Sequence, residues 1–250
     1  MKVNAADRII VALDHPHDLE NPDRAIEVKD AIDIVQKLEG LVSFFKVGWP
    51  LFLAKGGEAI VGELVKRGKR VFLDLKYGDI PETVKRLMQR VAAGGAEFVT
   101  LNASTRAVRA AVEARDAICG SKLKILRVTL LTSLDESDLK MMGYAISAKD
   151  YVLRIARTGL KAGCDGIICS AGEAGEVRKE VGTDFLIVTP GIRPAGMDTD
   201  DHKRSATPKE AVMAGADYLV VGRPITRSAD LRAAASQIIE EMQAAFDALG

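Results

Sequence analysis

At 250 residues, with 48 % hydrophobic and 28 % charged residues, the chain has the length of one α/β barrel and enough apolar mass to bury its core. Thirty-five basic residues balance thirty-five acidic ones. That argues against a nucleic-acid surface and leaves any anionic ligand to a few placed cations.

In chain order, the first apolar run is RIIVALD (8–14), too short and interrupted for a signal peptide. Asn21-Pro22 then reads as a helix cap with Pro at the first helical position. Further strands are predicted over 42–49, 70–76, 98–103, 124–130, 166–171, 185–191 and 218–224. Most are nearly continuous in Val, Ile and Phe, as strands covered on both faces should be. A helical pattern follows each one. Eight strand–helix units predict a closed parallel (β/α)8 TIM barrel, a single domain over 1–250. Gly163 and Gly215 mark helix ends, Thr207-Pro208-Lys209-Glu210 reads as a capping box, and the last stretch (228–250) as a long closing helix.

The connections after strands 5 (131–146) and 7 (192–206) exceed the usual length. Each is either a plain insertion or a loop that grips substrate at the barrel mouth. Cys119, Cys164 and Cys169 show no metal-ligand spacing and are expected to be buried thiols. No stretch approaches a membrane span, so the expectation is a cytoplasmic protein with no membrane or nucleic-acid partner.

Charge collects at the C-terminal ends of the first three strands: Asp14, Lys46, Asp74 and Lys76, with Asp79 in the following turn. Residues two apart on a strand share a face, so Asp74 and Lys76 point one way while Leu73 and Leu75 point the other. With the leucines under the helices, the charges face the mouth. A structural ion-pair ring is the plain alternative. Buried ion pairs seldom outperform apolar packing, however, so stability alone is a poor reason to build one. An alternating array could protonate a carbanion through a lysine and repel an anionic leaving group. A carboxylate about 4 Å from an aspartate feels roughly 4 kcal/mol of repulsion at an effective dielectric near 20, relieved when it leaves as carbon dioxide.

Strands 7 and 8 end in Pro190-Gly191-Ile192-Arg193 and Val221-Gly222-Arg223-Pro224. Barrels often bind phosphate after these two strands. Glycine opens the backbone to an oxygen and arginine supplies paired donors; plain surface charge is the alternative.

Asp74-Leu75-Lys76-Tyr77-Gly78-Asp79-Ile80-Pro81-Glu82-Thr83 resembles the DxKxxDIPxT motif of orotidine 5′-phosphate decarboxylases. ALD at 12–14, KVG at 46–48, LTS at 131–133, TPGIRP at 189–194 and VGRPIT at 221–226 are similar to the family's other blocks. The resemblance implies decarboxylation of OMP to UMP, the last step of pyrimidine nucleotide synthesis, with no metal and no cofactor. It implies that Lys76 protonates C6, flanked by Asp74 and Asp79, with Lys46 completing the network. It gives Asp14 and Lys46 to the ribose, Thr132 and Ser133 to the base, and Arg193, Gly222 and Arg223 to the 5′-phosphate. Asp79 and Thr83 would reach a neighbouring subunit's site, making a homodimer. His202 stands where many bacterial members carry a phosphate-binding Gln, and an imidazole can also donate to phosphate. Gly78 and Glu82 replace the frequent His and Asn.

DxKxxD is shared with metal-dependent phosphosugar relatives such as hexulose-phosphate synthases; Lys46 and the Ile-Pro-Glu-Thr continuation argue against them. A catalytically dead barrel is the alternative from another class, opposed by the intact charged set. His15 and His17 read as a solvated loop without a third metal ligand, and Trp49 as core or interface packing.

Overall fold

Eight parallel strands close on themselves in chain order: β1 (Ile9–Ala12), β2 (Phe44–Gly48), β3 (Arg70–Tyr77), β4 (Phe98–Leu101), β5 (Lys124–Val128), β6 (Gly166–Ile168), β7 (Leu186–Thr189) and β8 (Tyr218–Val221), with β8 pairing back to β1. The architecture is the (β/α)8 barrel predicted from the alternation of apolar runs and helical patterns. This computed structural model describes residues 3–18, 20–21, 24–195 and 204–250.

Helices cover the outer face. They are α1 (Val28–Lys37), α2 (Trp49–Phe52), α3 (Ile60–Lys66), α4 (Pro81–Ala93), α5 (Thr105–Asp116), α6 (Glu136–Met141), α7 (Ala148–Lys161), α8 (Ala171–Val181), α9 (Pro208–Met213), α10 (Arg223–Thr226) and α11 (Leu231–Leu249). The final helix, α11, packs against α9, α10 and α1, which closes the ring. Thr207 and Glu210 form the predicted capping box, Glu210 N–H donating to Thr207 Oγ1 at 3.2 Å and Thr207 N–H to Glu210 Oε2 at 2.8 Å. Gly163 (φ 99°) and Gly215 (φ 101°) follow the ends of α7 and α9 in the left-handed conformation that favours glycine.

The expected helix start at Asn21-Pro22 is not where α1 begins. Pro22 lies outside the described residues, and α1 opens at Val28, where Asp30 accepts the Glu27 N–H at 2.8 Å. Arg24 bonds both Asp18 and Asp30, so an ion pair fixes this approach segment. The connection after β5 contains α6. Cys164 and Cys169 are buried as expected, and burial pushes both thiols up to about 12. Cys119 is exposed instead, lying in the turn beyond α5 where no apolar face covers it. Among the described residues no helix is long and apolar enough to cross a membrane.

Strand parity sorts the core in two. Val11, Phe45, Val71, Leu73, Leu75 and Val99 face outward beneath the helices. Ile10, Phe44, Phe72, Phe98, Leu126 and Tyr218 fill the interior. The rings of Phe44, Phe98 and Tyr218 meet edge to face at 5.0–6.0 Å, and such pairs add about 0.5–1.5 kcal/mol each beyond their buried area. This plug makes the barrel a solid support rather than a pore. Its upper side is the bed of the site.

Candidate active site

The parity that sends Phe72 inward also sends Asp74 and Lys76 inward, one and two steps nearer the C-terminal mouth. On β2 it does the same for Lys46, two residues beyond Phe44. Register then brings the strands' charges together: Ala12 pairs with Lys46 and Gly48 with Asp74. Lys46 Nζ sits 2.5 Å from Asp14 Oδ2 and 3.5 Å from Asp74 Oδ2, and Lys76 Nζ sits 2.9 Å from Asp74 Oδ2. The sequence-predicted chain Asp14–Lys46–Asp74–Lys76 is therefore continuous in space. Gly48 makes room for it. A Cβ there would collide with Asp14 Oδ1 and come within 3.2 Å of Lys46 Nζ.

Lys46 and Asp74 are buried. Burial alone would discharge Lys46, but Asp14 and Asp74 outweigh it and hold its pKa above the usual lysine value. Burial likewise opposes the Asp74 carboxylate, and Lys46 and Lys76 overcome it, holding its pKa below the usual carboxylate range. Both members of the pair are thus charged at neutral pH.

A cavity of about 320 Å³ extends from this array to Gly191, Arg193, Gly222 and Arg223 at the ends of β7 and β8. Among the described residues that line it, two aspartates and two lysines cancel, and the charge left is that of Arg193 and Arg223. Between the two ends lie Thr132, Ser133 and apolar walls from Phe72, Val128, Leu130, Ile168 and Val220. A small ligand with an anionic end and a mixed polar and apolar middle matches that distribution. Arg193 is buried and donates from Nη1 to the Ile192 carbonyl at 2.9 Å. The two ends of the connection after β7 are tied by Arg193 N–H to Ala206 O at 2.9 Å. Arg204 donates to the carbonyls of Leu130 and Leu131 at 3.2 and 2.8 Å and pairs with Glu173. The connection after β7 is thereby anchored to the one that carries Thr132 and Ser133.

Not every predicted residue reaches the cavity. Asp79 is exposed and does not line it; its Oδ1 accepts the Ile80 N–H at 2.6 Å. Strand parity ceases at Tyr77, so the turn that follows need not point inward. Thr83, in the first turn of α4, is also exposed. His202 lies outside the described residues. Trp49 is 45 % exposed at the rim, edge-on to Phe52 and Tyr77, rather than in the core.

Two residues escaped the sequence reading. His15, expected in a solvated loop, lines the cavity beside Asp14, while His17 Nδ1 lies 3.0 Å from the Thr226 carbonyl. Strand 1 borders strand 8 in a closed barrel, and that adjacency was the available signal. Thr100 on β4 bonds to the charged array from below; its even parity with Phe98 was the available signal. Among the described residues no three His, Cys, Asp or Glu are grouped to hold a metal ion.

Comparison with known proteins agrees with the geometry. The sequence model of the "Orotidine 5'-phosphate decarboxylase / HUMPS family" matches residues 7–238. A Methylobacterium nodulans protein named orotidine 5′-phosphate decarboxylase is 47 % identical over 96 % of this chain and 97 % of its own length. One of the same name from Rhodopseudomonas palustris is 46 % identical over 96 % of each chain. Among solved structures, the orotidine 5′-phosphate decarboxylase of Lactobacillus acidophilus superposes with a TM-score of 0.79 at 34 % identity, covering 94 % of this chain and 99 % of that one. An uncharacterized conserved protein of Geobacillus kaustophilus does so with a TM-score of 0.78 at 32 % identity, covering 94 % and 99 %. By sequence along nearly its whole length, and by a barrel whose mouth carries the motif's charges, the chain belongs to the orotidine 5′-phosphate decarboxylase / HUMPS family.

Proposed function

We propose that this barrel converts OMP to UMP and carbon dioxide as the last step of de novo pyrimidine nucleotide synthesis, with no metal or organic cofactor. The observation that carries the reading is the unbroken Lys46–Asp74–Lys76 chain, with contacts of 3.5 and 2.9 Å, sharing one cavity with Arg193 and Arg223. In this reading the arginines and the Gly222 backbone grip the 5′-phosphate, joined by His202. Asp14 and Lys46 hold the ribose, and Thr132 and Ser133 the base. The substrate carboxylate then faces Asp74. The C6–carboxyl bond breaks, carbon dioxide leaves uncharged, and the electron pair left on C6 takes a proton from Lys76 Nζ. Loss of the carboxylate removes its repulsion with Asp74, while both ammonium groups favour the carbanion, so the site binds the transition state better than the substrate.

The exposed positions of Asp79 and Thr83 suit residues that complete a neighbour's site, and the active form is a homodimer acting in the cytoplasm. The relatives' shared name supports decarboxylation over the metal-dependent chemistries of the wider family. The deciding experiment follows OMP consumption by ultraviolet absorbance with protein stripped of metal and held in excess EDTA. Full turnover is expected. Turnover that requires an added divalent cation, or none on OMP, overturns the reading.

A further inference from the structure

The Thr100 hydroxyl joins the two central members of the charged array from beneath. Thr100 is completely buried and lies outside the lining of the cavity. Its Oγ1 accepts the Lys76 backbone N–H at 2.9 Å and donates to Asp74 Oδ1 at 2.8 Å. Asp74 therefore has one oxygen fixed by a neutral hydroxyl and the other shared by Lys76 at 2.9 Å and Lys46 at 3.5 Å. With both oxygens engaged, the carboxylate cannot turn.

The backbone gives an independent reason for this bond. The β3–β4 register shifts between Leu73, opposite Val99, and Tyr77, opposite Leu101. Four residues are spent on β3 where β4 spends two. Within that irregularity Lys76 adopts φ +47°, the only non-glycine among the described residues with a positive φ. The left-handed region costs an L-residue roughly 1–2 kcal/mol, and such a conformation persists only where its surroundings over-determine it. The N–H of Lys76 is satisfied by a side chain here, and that side chain is Thr100.

We propose that Thr100 is a positioning residue for the decarboxylation, locking the Asp74 carboxylate and the left-handed Lys76 backbone in one geometry through its hydroxyl. This rests on the decarboxylase reading above. Thr100 touches no part of the substrate; it acts by holding the proton donor and the repelling carboxylate in fixed relation. A misplacement of the order of 1 Å at such a site costs about 10²-fold in rate.

The test compares wild type with Thr100→Val, Thr100→Ala and Thr100→Ser on OMP, with kcat, KM, the pH profile of kcat and a thermal melt for each. Val keeps the shape and removes the hydroxyl. Ala and Ser both lose the methyl and differ only in the hydroxyl, so that pair reads the same quantity even where Val does not fold. We expect kcat to fall about 10–100-fold in Val and Ala, with KM within about threefold, and Ser to recover most of it. The groups facing Asp74 are Lys76 on its own strand, Lys46 on β2 and the β4 hydroxyl. Losing the hydroxyl removes one hydrogen bond from the ionised form, so the acid limb of kcat should move to higher pH in Val and Ala and return in Ser. Wild-type kcat and limb in Val and Ala, a loss confined to KM, or a Ser variant as slow as Ala overturns the role of Thr100 alone. Wild-type protein that leaves OMP unconverted overturns the decarboxylase reading and this proposal together.

Discussion

Arg70 and Asp74 stand two inward positions apart on β3, one at the floor of the barrel and one at its mouth, and their surroundings differ. At the floor, Arg70 reaches both oxygens of Glu97 at 2.7 and 2.6 Å, the Asp7 carbonyl at 2.7 Å and Tyr218 Oη at 3.3 Å, and its guanidinium lies 4.1 Å over the Phe44 ring. All three of its nitrogens are engaged within the chain. At the mouth, Asp14 Oδ1 is buried without a hydrogen bond, Lys76 is half-buried with one described carboxylate partner, and its backbone is left-handed. A charge kept for stability is saturated by its own protein. The mouth instead keeps capacity open, at a cost in stability, as a site that must bind something else requires.

That contrast can be broken from either end. The largest effect is expected at Lys76→Ala. Turnover of OMP should fall by about 10⁴-fold, the upper end of what a positioned proton donor supplies, while the melting temperature stays near wild type. Substantial residual turnover would remove Lys76 as the acid. Arg223→Ala comes next. Its kcat/KM on OMP should drop by about 10²-fold, the scale of truncating one partner of a buried charged contact, with little change on phosphate-free orotidine. Equal losses on the two substrates would take Arg223 out of the phosphate grip.

Glu97→Gln addresses the floor. The pair is partly exposed, so its loss is expected to cost about 2 kcal/mol, read as a melting temperature lower by about 4–8 °C, with kcat unchanged. A slowed but fully stable variant would erase the distinction between the two ends. The smallest effect expected is in the pH profile. Lys46 and Lys76 hold the ionised form of Asp74, so its protonation is displaced below the usual carboxylate range. Activity tied to that carboxylate is therefore present above the range and lost only as pH falls beneath it. The kcat of wild type should be flat between pH 7 and 5 as far as Asp74 is concerned. A limb near pH 6 that disappears in Asp74→Asn would show the lysines fail to hold it.

Much of this was legible in the residues. Period-2 alternation on β3 put Leu73 and Leu75 under the helices and Asp74 and Lys76 inside, because parity is a local property of an extended chain. The glycine–arginine pairs at 191–193 and 222–223 were readable once strands 7 and 8 were counted. What parity could not give was anything beyond a strand's end or across a shifted register. Asp79 follows Tyr77 in a turn, and its carboxylate folds back on its own backbone. Thr100 meets Lys76 only because β3 and β4 lose step between them. His15 joins the cavity through the closure of strand 1 onto strand 8, a contact between the two ends of the sequence. The Arg70–Glu97 floor pair likewise depends on which side chains cross between neighbouring strands.

The φ of +47° at Lys76 also sets a direction for sequence drift. Glycine or asparagine occupies that backbone with less stress than lysine does, so a Lys76→Gly chain would relieve that stress while losing, on the proposed mechanism, the proton donor. Screening variants for heat tolerance alone would therefore enrich silent barrels at this position, and only a demand for product keeps the lysine in place.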